Sequence, residues 1–242
     1  MAAFPFSAIT MVTTSLGASV TLPSLTSLLT QVVTLLGVVL LLAGVGVAAA
    51  RQFREYVTAF VVQSLAVSAI AIAVGVETGK WDLFVVAALT LVVKVGVIPV
   101  LLRAVIQRMP EQRERAPLLN TPLSLVCAII LTLIAFFTAP SVVAPGTYLD
   151  QPPLAISLAL VLIGLFTLSV RRHALAQVVG LLTIENGLFS GAIAIAYGMP
   201  LLVEFGILFD ILIAVIVLTL LVRLLHRTLT SADTLDLRRL RG

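Results

Sequence analysis

Long stretches of uncharged, mostly apolar residues restrict the fold of this chain more than any other feature of its sequence. Several stretches contain 18 or more residues, including 25–50 and 121–143. A helix of about 20 such residues crosses the hydrocarbon core of a bilayer, which is about 30 Å thick. Only 11% of the chain is charged, against roughly 25% in soluble domains, which is too little to cover a water-exposed surface. The sequence therefore predicts an all-α fold, a polytopic membrane helix bundle.

About seven transmembrane helices are predicted. Prolines lie at the start of several of these helices. Proline has no backbone N–H, and at a helix start this group would have no intrahelical partner in any case. Predicted helices 1 to 7 cover residues 25–50, 56–76, 81–106, 121–143, 153–170, 174–197 and 200–225. The segment 1–24 precedes them as an extension, and 229–242 follows them as a tail.

Basic residues lie almost entirely on one side of this predicted bundle. Of the 15 Lys and Arg, 13 fall in the first, third and fifth loops or at and beyond the end of helix 7. Lys80 falls on the opposite side, and Lys94 lies inside helix 3. Cytoplasmic loops carry the excess of Lys and Arg. The N-terminus is therefore predicted to be outside, and the loop 107–120 and the C-terminal tail in the cytoplasm.

Few residues of the chain suit a redox cofactor or a metal ion. Cys127 is the single cysteine, which excludes an internal disulfide and a self-contained iron–sulfur cluster, because such clusters usually need four thiolates. His173 and His226 are predicted at helix ends, so they are not placed to hold a haem between them. The basic residues are dispersed, which argues against nucleic acid as a partner. We expect no cofactor or metal in this chain.

Polar residues inside the predicted helices are the strongest candidates for function. Lys94 lies near the middle of helix 3, Gln63 in helix 2, Glu185 in helix 6, and Asp210 and Glu204 in helix 7. A charge at the centre of a membrane helix costs about 2.5–3.5 kcal/mol on insertion scales. These groups must therefore face the bundle interior, pair with one another or reach water. A static ion pair and a proton or ion relay are both consistent with the pattern.

Pro99 is expected to break helix 3 beside the lysine. It follows Lys94 by five residues, and a proline clashes with the carbonyl four residues back, here that of Val95. Backbone groups freed in this way can bind water or a side chain within the membrane. Helix 6 also carries small residues that allow a neighbouring helix to approach closely: Gly180, Gly187, Ser190 and Gly191.

Five short motifs, four on predicted helices 2, 3, 6 and 7 and one in the loop 107–120, carry a family resemblance over 51–242. They are Gln63-Ser64-Leu65, Lys94-Val95-Gly96-Val97-Ile98-Pro99, Arg108-Met109-Pro110, Gly180-Leu181-Leu182-Thr183-Ile184-Glu185-Asn186-Gly187, and the stretch from Leu202-Val203-Glu204-Phe205-Gly206 through Asp210 to Ala214-Val215-Ile216-Val217. Together they resemble hydrogenase-4 component E, a membrane subunit of group 4 nickel–iron hydrogenases such as formate hydrogenlyase.

The last three predicted helices, 153–228, also resemble the K subunit of respiratory complex I and the C subunit of multisubunit cation/proton antiporters. The shared features are Arg171-Arg172, Gly180, the membrane acids and the basic tail. The position of the K-subunit glutamate holds Leu182 here, and Glu185 follows about one turn later. The chain thus divides into the extension, helices 1–4 within 25–152, this three-helix unit and the tail.

The resemblance implies a non-catalytic membrane-arm subunit of a complex-I-like group 4 hydrogenase in a prokaryotic cell membrane. Its partners would be other integral membrane subunits, together with peripheral hydrogenase subunits that hold the nickel–iron site and iron–sulfur clusters. It would contribute to proton or sodium translocation through the intramembrane polar residues. A subunit of a multisubunit cation/proton antiporter and a purely structural membrane-arm subunit remain alternatives. A stand-alone transporter is disfavoured because no internal repeat is visible.

The predicted orientation can be tested at Ala116, in the loop 107–120. With Ala116→Cys, we expect no labelling by a membrane-impermeant thiol reagent added outside intact cells, because the loop is predicted to be cytoplasmic. Permeabilised cells should be labelled, and Lys80→Cys provides a control on the predicted outer side. Ready labelling of Ala116→Cys in intact cells would contradict the seven-helix topology.

Overall fold

The computed structural model describes residues 25–107, 118–142 and 151–195. This part of the chain is all-α and forms six helices, each long and apolar enough to cross a membrane. They are α1 (Leu25–Ala49), α2 (Phe53–Thr78), α3 (Trp81–Gln107), α4 (Thr121–Val142), α5 (Gln151–Val170) and α6 (Ala174–Ile195). The polytopic helical bundle and its first six helices are thus confirmed. Predicted helix 7, the extension, the tail and most of the loop 107–120 lie outside the described residues.

The start of α2 differs from the sequence prediction. The helix begins at Phe53, three residues earlier than predicted, because Glu55 forms a capping box. Its Oε2 accepts hydrogen bonds from the backbone N–H groups of Arg51 (2.9 Å) and Gln52 (3.1 Å). Such a carboxylate satisfies N–H groups that have no intrahelical partner at a helix start. Glu55 was predicted to lie in the loop before helix 2, whereas it lies in the first turn of the helix.

Other helix ends differ by one or two residues. The start of α5 includes Gln151, which the sequence analysis assigned to the preceding link. At the far end of α2, Gly79 has a φ of 66°, a left-handed conformation that glycine adopts without a Cβ clash and that commonly ends a helix. The chain then reverses within two residues into α3.

Helices α2 and α6 are the most buried of the six, and α4 is the least buried. Consecutive helices pack against each other in the pairs α1–α2, α2–α3, α4–α5 and α5–α6, and α1 and α2 also contact α6. The core is therefore built around α2 and α6. The exposed side chains of α4 are largely apolar, as expected for a surface that faces lipid.

Glycines bring α5 and α6 into backbone contact, as the small residues of predicted helix 6 indicated. A Cβ built on Gly180 would lie 3.2 Å from the carbonyl oxygen of Gly164, and one on Gly187 would lie 3.0 Å from that of Ser157. Small residues allow this approach in membranes, where association depends on close packing rather than on a hydrophobic driving force. The pair α5–α6 is thus held at a separation that larger side chains would not permit.

Of the three apolar clusters among the described residues, the two larger ones lie on either side of the middle of the core. One includes Phe60, Leu102 and Leu182, toward the end where α2 begins. The other includes Val67 and Val86, toward the opposite end. The buried residues between them along α2, α3 and α6 are polar: Gln63, Ser64, Thr90, Lys94, Glu185 and Asn186. The bundle is therefore layered, with a polar layer enclosed by two apolar ones.

The close contact between α5 and α6 predicts a specific sensitivity at Gly164. In Gly164→Ala, the new Cβ would lie 2.8 Å from both the carbonyl oxygen of Gly180 and the backbone nitrogen of Ile184, so the helices must separate. We expect a loss of about 1–3 kcal/mol of stability, as for other overpacked cores. Thermal unfolding of the purified chain in mild detergent measures it.

Gly46→Ala in α1 is the matched control. Its new Cβ has no neighbour closer than the Cβ of Ala59, at 4.0 Å, so the variant should keep or slightly raise the unfolding temperature, because alanine favours the helix over glycine. Equal unfolding temperatures for Gly164→Ala and Gly46→Ala would contradict the described packing.

Candidate functional site

The polar layer is centred on an ion pair between Lys94 of α3 and Glu185 of α6. The Nζ of Lys94 lies 3.4 Å from Oε1 of Glu185, and both side chains are 2% exposed. The same Nζ donates a hydrogen bond of 3.1 Å to Oδ1 of Asn186. It also lies 5.8 Å from the ring centroid of Phe189, within the range of a cation–π interaction. One ammonium group therefore holds three side chains of α6.

A π-helical segment places Lys94 in the core. Residues Leu91–Val97 are π-helical, and the N–H of Ile98 bonds to the carbonyl of Val93, five residues back rather than four. Pro99 follows directly and is buried. A proline in an α-helix clashes with the carbonyl four residues back, and the wider π turn relieves this crowding. Such π segments occur frequently at functional sites, where they redirect side chains.

Asn186 extends the interaction from α3 to α2. Its Nδ2 donates a hydrogen bond of 3.3 Å to Oε1 of Gln63, while its Oδ1 accepts from Lys94. The hydrogen bonds thus have one direction, because the lysine can only donate. The series of hydrogen bonds ends at the Nε2 of Gln63, which lies near Gly44 of α1.

Several buried polar atoms near these hydrogen bonds have no hydrogen-bond partner of their own in the described part of the molecule. They are the Nε2 of Gln63 and the hydroxyl oxygens of Ser64 and Thr90. Leaving such a group unsatisfied costs about 1–3 kcal/mol. By contrast, the hydroxyl of Ser68, one turn further along α2, donates to the carbonyl of Ala87 at 3.1 Å. Two further unsatisfied buried atoms, the Nζ of Lys80 and the hydroxyl oxygen of Ser124, lie outside the polar layer.

The arrangement suits proton or cation chemistry better than metal binding. Among the described residues, no group of three or more His, Cys, Asp or Glu is placed to hold a metal ion. A lysine and a carboxylate in contact can exist as an ion pair or, after proton transfer, as two neutral groups. Burial favours the neutral forms, whereas pairing favours the charged forms.

The structure brings together three of the residues that the sequence analysis selected. Lys94 and Glu185 are paired, and Gln63 joins them through Asn186. Asp210 and Glu204 lie outside the described residues. Asn186 was part of a family motif but received no role of its own. A mid-helix Asn beside a membrane glutamate was the available signal, since an amide can both accept from the lysine and donate onward.

Arg171 is a second buried cation, which was expected in a basic loop and as part of the resemblance to the K subunit, but not inside the bundle. Its side chain is 2% exposed, and its Nη2 donates to the carbonyl of Ala48 at the end of α1. Its guanidinium carbon lies 6.0 Å from the ring centroid of Tyr56, whose hydroxyl donates to the carbonyl of Ala50 at 3.0 Å. Both side chains satisfy carbonyls at a helix C-terminus, where positive charge is favourable.

Comparison with protein families assigns the C-terminal region to a class. Residues 152–242 match the family NADH-ubiquinone/plastoquinone oxidoreductase chain 4L. No solved structure matches the chain. A helical membrane bundle with a buried charged layer and a region of this kind is a membrane-arm type of subunit, as found in complex-I-like assemblies.

Full-length relatives identify the family. The chain is 30% identical over 207 residues to hydrogenase-4 component E of Escherichia coli K12, and the match covers 84% of this chain and 94% of the relative. It is 38% identical over 205 residues to the uncharacterized protein Rv0085 of Mycobacterium tuberculosis, which covers 84% of this chain and 92% of that protein. The chain belongs to the hydrogenase-4 component E family, and the resemblance read from the sequence motifs is confirmed.

The buried ion pair predicts a strong dependence of one partner on the other. In Lys94→Met, the Glu185 carboxylate loses its cation, and breaking a buried pair in this way costs about 3–5 kcal/mol. Replacing both partners, as in Lys94→Met with Glu185→Leu, removes the stranded charge and should restore much of that loss. Unfolding of the purified variants in detergent measures the coupling. Additive losses in the double variant would contradict the pairing.

Proposed function

We propose that this chain is a membrane-arm subunit of a complex-I-like group 4 nickel–iron hydrogenase of the formate-hydrogenlyase type, in a prokaryotic cell membrane. Its role is to carry part of a proton or sodium path through the membrane. The redox chemistry takes place in partner subunits that hold the nickel–iron site and the iron–sulfur clusters. The observation that carries this proposal is the ion pair of Lys94 and Glu185 at mid-bundle. Family membership supports the type of complex.

The position of the pair suits a relay. Lys94 lies 13 residues from either end of α3, about 20 Å along the helix axis from each end. A proton that arrives at Glu185 would neutralise the carboxylate and release its hold on Lys94, whose Nζ keeps the bond to Asn186. Loss of a proton from Lys94 would do the same from the other side. One pair can therefore pass a charge change between α6 and α3.

Access to the pair is expected from the side of the bundle. In the part of the chain that the structure describes, the side chains packed above and below the polar layer are largely apolar, and the buried cation near one of these clusters, Arg171, is bound to the carbonyl of Ala48. The outer face of the π segment is exposed at Val92, Gly96 and Val97. An ion would then reach Lys94 laterally, past α3, from a neighbouring membrane subunit. This geometry favours a subunit that acts within a complex over a stand-alone channel.

A purely structural role is the second candidate, and the same enclosure favours it. An ion pair sealed between apolar layers can fix the register of α3 against α6 without ever changing its charge. Buried polar groups have this specifying role in some helical assemblies. The two roles differ in one respect: a relay requires the lysine to change its charge, whereas a register-fixing pair requires only a permanent cation.

Lys94→Arg distinguishes the two roles. Arginine can pair with Glu185 but stays protonated in proteins. We therefore expect the complex to assemble while ion pumping falls by about 100-fold or more, the loss typical of removing one proton-transfer group. Assembly is checked on a native gel, and pumping is measured in inverted membrane vesicles with and without sodium. The chain offers a matched control in Lys80→Arg, since Lys80 is its other lysine and lies in the α2–α3 turn.

The outcomes separate the candidates. Assembly with lost pumping in Lys94→Arg, and normal pumping in Lys80→Arg, would support the relay. Normal pumping in Lys94→Arg would contradict it and support the structural role. If Lys94→Arg does not assemble, Glu185→Gln provides the second test, because the amide keeps the shape of the carboxyl group but cannot exchange a proton.

A further inference from the structure

We propose that the chain binds one anionic phospholipid where α2 begins and α3 ends. The phosphate would lie between Arg54 and Arg103, and one acyl chain would lie in the groove between α1 and α2. This inference is independent of the proposed ion path, because none of the residues involved belongs to the polar layer around Lys94. It rests on a basic pocket, an apolar groove and their connection.

The basic pocket lies between α2 and α3 and has a volume of about 280 Å³. Its lining combines two arginines and two polar side chains with two apolar residues: Arg54, Thr58, Arg103, Gln107, Val57 and Ile106. Val57 and Ile106 are buried in the core, whereas both arginines are exposed. In the part of the chain that the structure describes, neither guanidinium forms an ion pair. The pocket thus presents positive charge above an apolar floor.

Arg54 also lies in the first turn of α2, where the Glu55 carboxylate accepts N–H groups at the helix start, so the positive charge of the pocket comes from the two guanidinium groups. Arginine binds phosphate oxygens through paired N–H donors, and two guanidinium groups match the single charge of a phosphodiester. Basic pockets between transmembrane helices are recurrent sites for anionic lipid headgroups. The pocket therefore has the charge and the chemistry for a lipid phosphate.

The apolar groove runs between α1 and α2 and has a volume of about 600 Å³. Most of its lining is small or aliphatic: Val39, Leu42, Ala43, Gly46, Ala49, Ala50, Ala59 and Val62. Its polar lining is Arg54, Glu55 and Thr58, and Glu55 is turned to the helix start by its bonds to the N–H groups of Arg51 and Gln52. On α1 the lining extends from Val39 to Ala49, about 15 Å along the helix axis. This is close to half of the hydrocarbon thickness of about 30 Å. The length of the groove along α1 therefore matches the thickness of one leaflet of hydrocarbon.

The two cavities meet at Arg54 and Thr58, which line both of them. A ligand that fills both must carry an anion at one end and about one leaflet of hydrocarbon at the other. Inorganic phosphate would use only the pocket, and an uncharged lipid would use only the groove. An anionic phospholipid uses both, with its headgroup at the end of the bundle and its chain directed toward the membrane centre.

The test uses the full-length chain, purified in detergent, stripped of lipid and titrated with mixed micelles containing phosphatidylglycerol or phosphatidylcholine with identical acyl chains. Lipid retained per chain is measured by native mass spectrometry. We expect one phosphatidylglycerol per chain, bound more tightly than phosphatidylcholine. The double variant Arg54→Gln with Arg103→Gln should bind phosphatidylglycerol roughly 25-fold more weakly, from the usual contribution of two basic residues near a membrane surface.

Two further variants make the test specific. Gly46→Leu fills the groove without a clash at its Cβ, since the nearest neighbouring atom lies 4.0 Å away. It should weaken the binding of both lipids. Arg51→Gln is the matched control, because Arg51 is also exposed and lies three residues from Arg54 but lines neither cavity. It should leave phosphatidylglycerol binding within about twofold of the unmodified chain, since isolated surface charges contribute little.

Several outcomes would overturn the proposal. They are equal retention of the two lipids, wild-type binding by the double arginine variant, and an equal loss in Arg51→Gln, which would indicate diffuse surface charge. Displacement of phosphatidylglycerol by inorganic phosphate alone would show that the groove contributes nothing to binding. A groove occupied by a helix of a partner subunit would appear as loss of complex assembly in Gly46→Leu without any bound lipid.

Discussion

The ion pair between Lys94 and Glu185 is the interaction on which the centre of this bundle depends. In a lipid-solvated protein, each of these charges must find a partner inside the bundle, because the surrounding solvent offers none. The pairing at 3.4 Å brings α3 to α6, and Asn186 brings α2 to both. The apolar clusters on either side then seal the layer from both ends. One pair of charges thus fixes the relative positions of three helices.

Other parts of the architecture support this arrangement. The π segment Leu91–Val97 lets α3 accommodate Pro99 and still direct its lysine inward. Glycines let α5 approach α6 closely. Arg171 connects the α5–α6 turn to the end of α1. These features do not contact the ion pair, but they hold the helices that supply it.

The site crosses the boundary that the family comparison marks. Glu185 and Asn186 lie within residues 152–242, which match chain 4L, whereas Lys94 and Gln63 lie in the preceding part of the chain. The extra N-terminal helices therefore supply the cation and an amide to the acid of the chain-4L-like region. The match to hydrogenase-4 component E spans both parts, as a site shared between them requires. In this chain the preceding helices complete the polar layer rather than merely extending the subunit.

The sequence by itself determined the membrane setting, six of the helices and the residues that had to be reconciled with lipid. A long uncharged run can cross a bilayer only as a helix or in a closed barrel, and a charge at its centre must be satisfied inside the protein. These features can therefore be predicted without a structure. It did not determine that Glu185 pairs with Lys94, that Asn186 links them to Gln63, or that Arg171 is buried. Those outcomes depend on which helix faces meet, and nearly uniform apolar helices carry little periodic signal of their orientation. Only the packed tertiary structure decided the partners, because helix separation and rotation are set by contacts between segments distant in the chain.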